Sequence, residues 1–169
     1  MKEFFGQDVL LRTEAAKTLY AGVKDLPIID YHCHLNEKEI QADRSFSDLG
    51  ELWLGGDHYK WRAMRMCGVD ERFVTGDADF AEKYAKYAEI FPRLAGNPLY
   101  YWTQMELSLI FGIHTPLGPD TAEGIRAAAN EKHSSSGIPL VKPMDNACAN
   151  RALFILRKSP RSPQRPCQK

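Results

Sequence analysis

Two stretches of the chain carry side chains that could do chemistry together. The first is Asp30-Tyr31-His32-Cys33-His34. If it is extended, side chains alternate, so Asp30, His32 and His34 share one face while Tyr31 and Cys33 point the other way. Imidazoles two residues apart start about 6.5–7 Å apart at the backbone. Their nitrogens can close to the roughly 3.4 Å expected of two ligands on one zinc-class ion. Two histidines bonded to backbone groups or to water are the simpler alternative. The second stretch is Gly55-Gly56-Asp57-His58-Tyr59-Lys60-Trp61-Arg62-Ala63-Met64-Arg65. Asp57 is a good N-cap, and the helix it opens presents His58 and Tyr59 in its first turn. His58, Arg62 and Arg65 fall at i, i+4 and i+7, along one face, where an anion would meet helix-start amides, a histidine and cationic forks. The alternative is an amphipathic surface helix with Trp61 and Met64 in the core.

Weaker candidates surround these two. The segment Asn97-Pro98-Leu99-Tyr100-Tyr101-Trp102 could wall a pocket, although aromatics at helical spacing ordinarily belong to a core. His114, beside Pro116, reads as a turn residue, and Glu106 is either a paired buried carboxylate or part of an exposed face. Neither a P-loop nor a Gly-x-Gly-x-x-Gly pattern occurs, so no nucleotide is indicated.

The elements that must position these groups can be placed from caps and periodicity. Thr13 caps a helix running to Lys24, with Leu19, Tyr20 and Val23 as its apolar contacts. Pro27 ends helical geometry, and residues 27–33 read as a short buried strand with the histidines at its tip. From about 37 to 132 the pattern is helical or looped. Asp57 opens a helix to Cys67 that Gly68 closes. Asp79 and Glu82 form a capping box ahead of Phe80, Tyr84, Tyr87 and Phe91 on one face, with Pro92 as the stop. Asn97-Pro98 starts a helix that ends at Gly112, and another begins near Gly118-Pro119 and runs towards Lys132. A lone strand cannot pair with itself, and each buried unpaired amide costs about 1–3 kcal/mol. Either further strands exist or this stretch belongs to something larger.

Composition narrows the function classes. The 169 residues carry 22 basic and 22 acidic side chains, which argues against a wholly basic nucleic-acid binder. No secretory pattern opens the chain, and no run approaches the roughly 18 apolar residues of a membrane span. Cys33, Cys67, Cys148 and Cys167 form no Cys-x-x-Cys pair, so reduced thiols in a cytoplasmic protein are expected. The zero charge hides a seam: residues 1–132 hold 21 acidic and 15 basic side chains, a net of −6, whereas 133–169 carry a net of +6 and five of the ten prolines. That tail is expected to be extended or disordered. It is either an arm for RNA or a partner, or unrelated coding sequence joined to a truncated domain.

With these residues in view, the chain resembles the N-terminal part of uronate isomerase (glucuronate isomerase), in the amidohydrolase superfamily. The likeness rests on Pro27-Ile28-Ile29-Asp30-Tyr31-His32-Cys33-His34-Leu35, on Gly56 to Arg65, and on Gly96-Asn97-Pro98-Leu99-Tyr100, and spans roughly residues 3–132. It implies an α/β fold: the start of a metal-dependent-hydrolase-type (β/α)8 TIM barrel, with a first strand at about 27–33 and a mostly helical insertion at about 37–132. It implies interconversion of D-glucuronate with D-fructuronate and of D-galacturonate with D-tagaturonate. By resemblance His32 and His34 hold a divalent metal, zinc. His58 and Tyr59 reach the hexuronate substrate, Tyr59 takes part in proton transfer, and Arg62 is a candidate for the substrate carboxylate. An intact member is open to homo-oligomerisation; no membrane and no nucleic acid are expected as partners. A barrel of this type needs about 250 residues, so the reading here is a truncated or frame-shifted member with an incomplete site. Two alternatives remain: a metal-dependent hydrolase of the same superfamily, and a non-enzymatic helical fragment with a basic binding tail.

Overall fold

In the computed structural model, which describes residues 10–26, 38 and 46–136, the chain runs as a succession of short helices. Helix α1 (Glu14–Val23) is followed by α2 (Leu49–Leu54), α3 (His58–Met66), α4 (Phe80–Ile90), α5 (Pro98–Leu109) and α6 (Ala122–Ser136), with 3-10 turns at Glu71–Phe73 and Phe91–Leu94. The strand expected at 27–33, together with Asp30, His32 and His34, lies outside the described residues, as does nearly all of the basic tail.

Local chemistry sets most of these boundaries. The Thr13 hydroxyl accepts from the Ala16 amide, and the Asn97 side chain accepts from Leu99 with Pro98 in the first turn. Asp79 and Glu82 form the expected reciprocal capping box, which satisfies two amides that the helix itself leaves open. Gly68 (φ 81°) closes α3 in the left-handed region that glycine occupies without strain. Gly112 (φ 57°) does the same two residues beyond α5's C-cap Ile110, where Ile113 N–H donates to the Leu107 carbonyl at 2.9 Å. Pro92 does not end ordered structure abruptly: α4 stops at Ile90, and the chain tightens into a 3-10 turn with Pro92 in its first positions.

Helix α4 lies at the middle of the core, against α2, α3, α6 and both 3-10 turns. Tyr84, Tyr87, Ala88 and Ile90 on it are buried, together with Trp53, Leu54, Met64, Phe91, Leu107 and Ile125. Burial of each large side chain contributes about 1.5–3 kcal/mol. The aromatic rings interlock. Trp53 meets Tyr87 edge-on at 6.3 Å, Tyr87 meets Phe91 at 5.8 Å, and Phe91 stacks on Tyr100 at 4.9 Å. The expected face of α4 is thus present, with Phe80 only half-buried at its start.

A polar clamp joins the two ends of this region. Asp48 caps α2 through the Gly50 amide (2.7 Å), while its other oxygen accepts from Arg126 Nε (2.8 Å) and Asn130 Nδ2 (2.9 Å) on α6. Asn130 Oδ1 returns a bond by accepting from the Leu49 amide at 2.9 Å. The expected apolar contacts of α1 are corrected: Leu19, Tyr20 and Val23 are 73%, 50% and 53% exposed. The helix forms on its cap and local bonds, and none of its residues is buried against the described residues.

Candidate functional site

The site begins where α2 hands over to α3. Gly55 N–H donates to the Glu51 carbonyl at 2.8 Å, and a Cβ on Gly55 would stand 2.6 Å from that oxygen. Only glycine allows the chain to leave α2 so tightly, and the turn delivers Asp57 to the N-cap of α3. One oxygen of Asp57 accepts from the amides of Tyr59 (2.9 Å) and Lys60 (3.3 Å), and the other accepts from Lys60 Nζ at 2.8 Å. This revises the expectation of open helix-start amides awaiting an anion: the chain's own carboxylate already occupies those of Tyr59 and Lys60.

On the outer side of the turn the imidazole of His58 and the phenol of Tyr59 lie 4.5 Å apart, centre to centre, with planes 33° apart. Arg62 follows, its guanidinium carbon 5.8 Å from the centre of the Tyr59 ring. Tyr59 is 49% exposed. A phenol, an imidazole and a cationic fork therefore share one accessible patch; the first two can exchange protons and the third can pair with a carboxylate. Arg65, on the same stripe in sequence, is taken up by Glu71, to which its Nε donates at 2.8 Å. Glu71 also accepts from the Thr75 hydroxyl, and these bonds hold its carboxyl down at about 2.

Beneath the turn the structure assembles a buried charged cluster that brings together Asp57 and Glu106, two candidates far apart in sequence. Lys60, Glu106 and Tyr87 are all buried, and the Lys60 ammonium lies 5.8 Å from the Trp53 ring centre. Burial alone would lower the Lys60 pKa, but the charges of Glu106 and Asp57 outweigh it and hold it above the ordinary 10.5. Burial would raise the Asp57 carboxyl, yet the Lys60 charge and hydrogen bonds bring it below 3.8. Burial pushes Glu106 up despite the opposing pull of Lys60. The Tyr87 phenol, bonded to the Thr103 hydroxyl at 3.0 Å, is pushed up to about 12, chiefly by burial. The Trp53 indole N–H lies near enough to Glu106 to favour its charged form, although it meets no partner at hydrogen-bond geometry among the described residues. Glu106 thus realises the buried alternative of the two that its sequence allowed, with the charge of Lys60 acting on it. Lys60 lies outside the residues expected in the core, yet it stands in step with Ala63 and Met64, the buried stripe of α3.

Met64 is fully buried, and Trp61 is half-buried with its indole N–H donating to the Leu54 carbonyl at 2.7 Å. Tyr100 packs on Phe91, while Tyr101 and Trp102 are exposed. His114 sits in the turn after α5, its Nδ1 3.2 Å from the Ser108 hydroxyl. Cys67 is a free thiol. Among the described residues no group of three His, Cys, Asp or Glu side chains is placed to hold a metal ion, and no helix is long and apolar enough to cross a membrane. His58, Tyr59 and Arg62 are brought together; His32 and His34 lie outside the described residues.

Fold and site together define a helical module that presents an imidazole–phenol pair at the start of one helix, above a buried ion cluster. The family model for glucuronate isomerase matches residues 1–145. The chain is 54% identical over 133 residues to a uronate isomerase of Marinomonas sp. strain MWYL1, covering 78% of this chain and 28% of that protein. It is 50% identical over 135 residues to one from Lachnoclostridium phytofermentans, covering 79% and 29%. Its structure resembles the crystal structure of uronate isomerase from Thermotoga maritima (TM-score 0.73, 40% identity, 78% of this chain and 29% of that one). It also resembles that of glucuronate isomerase from Caulobacter crescentus (TM-score 0.67, 27% identity, 73% and 27%). The chain belongs to the glucuronate (uronate) isomerase family, and it spans somewhat under a third of the length of the relatives it matches.

Proposed function

We propose that this chain carries the first part of an aldose–ketose isomerase for hexuronates, acting on D-glucuronate to give D-fructuronate and on D-galacturonate to give D-tagaturonate. The reading divides the chain into an isomerase-like region, 1–132, and a separate basic tail, 133–169. It treats the helices within about 37–132 as an insertion after the first strand, at about 27–33, of a (β/α)8 barrel. A cytoplasmic location is part of this reading, in keeping with the free thiol of Cys67 and a metabolic substrate.

The chemistry needs no external oxidant. The C2 proton leaves and its electron pair forms the C1–C2 double bond as the C1 carbonyl oxygen takes up a proton, giving an enediol; a proton is then delivered to C1 while the C2 hydroxyl gives up its own to become the ketone, so C1 is reduced as C2 is oxidised. Tyr59 and His58 are the groups proposed to move that proton, and Arg62 the group proposed to hold the substrate carboxylate. His32 and His34 are the residues proposed to hold a zinc-class ion. A divalent ion held there would supply positive charge to the carbonyl oxygen.

The observation that carries this reading is the His58–Tyr59 pair on an accessible helix start, in a chain of this family. The test is to assay the purified 169-residue chain with D-glucuronate in the presence of zinc or manganese. Turnover that Tyr59→Phe and His58→Ala each reduce at least a hundredfold supports it. A monodisperse chain with no turnover refutes activity in this chain.

A further inference from the structure

We propose that Lys60 is a positioning residue for the His58–Tyr59 turn: from inside the core it holds the Asp57 cap, with Glu106 on α5 facing it, and so fixes the direction in which Tyr59 is presented. The proposal rests on the uronate reading for what that turn does, but not for how the turn is held.

The geometry is a single carboxylate shared between two tasks. One Asp57 oxygen takes the Tyr59 and Lys60 amides, and the other takes Lys60 Nζ at 2.8 Å. The Lys60 side chain is 7% exposed, so its ammonium cannot turn to water while the helix is docked. Consecutive residues on an α-helix are about 100° apart, so anchoring Lys60 inward places Tyr59 outward, where it stands half exposed beside His58. The charged and titratable groups that face Lys60 are Asp57 on its own element, Glu106 on α5 and Tyr87 on α4. A core that needed only volume here would be served at least as well by an apolar side chain, since buried ion pairs seldom exceed a well-packed hydrophobic replacement in stability. An ion that reaches back to the cap of its own helix while facing Glu106 on α5 instead ties that cap, and the turn it opens, to the core.

The experiment uses the full chain labelled with nitrogen-15, and follows the Tyr59 and Lys60 amide resonances against pH and against added D-glucuronate. In the wild type those amides report an Asp57 titration below 3.8. Lys60→Met is expected to move that midpoint up by at least one pH unit and to weaken the D-glucuronate-induced shift at Tyr59 at least fivefold. Lys60→Arg is expected to restore most of both, with the amides of Tyr84 and Leu107 unmoved throughout. If Lys60→Met fails to fold, Lys60→Gln, which keeps a donor but no charge, is held to the same expectation. An unchanged Tyr59 resonance and pH midpoint in the neutral variant overturns the proposal, as does an equal disturbance of Tyr59, Tyr84 and Leu107. Failure of D-glucuronate to shift any wild-type resonance counts against the uronate reading alone, because the pH arm still decides how the turn is held.

Discussion

Replacing Asp57 separates two contributions that its carboxylate makes at once. Asp57→Asn keeps a side-chain oxygen for the Tyr59 and Lys60 amides, because asparagine caps about as well as aspartate. It removes the charge that faces Lys60. Stranding a buried charge costs about 3–5 kcal/mol. Here Asp57 is 24% exposed and Glu106 remains near Lys60, so a loss of about 2–3 kcal/mol is expected, below the full figure. Asp57→Ala removes the cap as well, adding about 1 kcal/mol. Urea unfolding followed by tryptophan fluorescence is a direct assay, since Trp53 and Trp61 both lie within this region. With a slope near 1.5 kcal/mol per molar, the Asn variant should lose roughly 1.3–2 M in midpoint and the Ala variant about 0.7 M more. An Asn variant within about 0.5 kcal/mol of wild type would show that Lys60 does not depend on Asp57. An Ala variant no worse than Asn would show that the cap contributes nothing.

Two further predictions follow from packing and titration. A Cβ at Gly50 would stand 2.3 Å from the Phe80 carbonyl oxygen, so Gly50→Ala must push α2 away from α4; a loss of about 2–3 kcal/mol is expected, and an unchanged thermal midpoint would refute that close approach. At alkaline pH, burial holds the Tyr87 phenol at about 12 and the Tyr84 phenol higher still, while Lys60 stays above 10.5. All three are raised in the fold, so the stability they confer is complete below about pH 10 and is lost as pH rises through their folded values. Each contributes a slope of about 1.4 kcal/mol per pH unit; Tyr87→Phe should remove one such slope between pH 10 and 12, read as a later alkaline unfolding transition by absorbance at 295 nm.

The local structure was largely legible in the sequence because it is made by near neighbours. Thr13, Asp57, Asp79 and Asn97 each cap the helix that follows within three residues, and Gly68 and Gly112 turn the chain where the left-handed region is needed. The His58–Tyr59 turn and the face of Tyr84, Tyr87 and Phe91 were visible for the same reason. The apolar side of α1 misled, since periodicity states which residues would pack but not what lies against them. Equally, the stripe of His58, Arg62 and Arg65 is real on the helix, yet Arg65 is diverted to Glu71.

By itself, then, the order of residues determined the family, five of the six described helices (α2 excepted) and the candidate turn. These depend on short-range hydrogen bonds and on motifs that survive as strings. Only the tertiary structure decided that Asp48 would clamp α2 to Arg126 and Asn130 about eighty residues away, and that Lys60 would lie buried between Asp57 and Glu106. Those outcomes depend on which helix faces meet, and burial of a lysine becomes tolerable only when carboxylates from its own cap and from another helix arrive beside it.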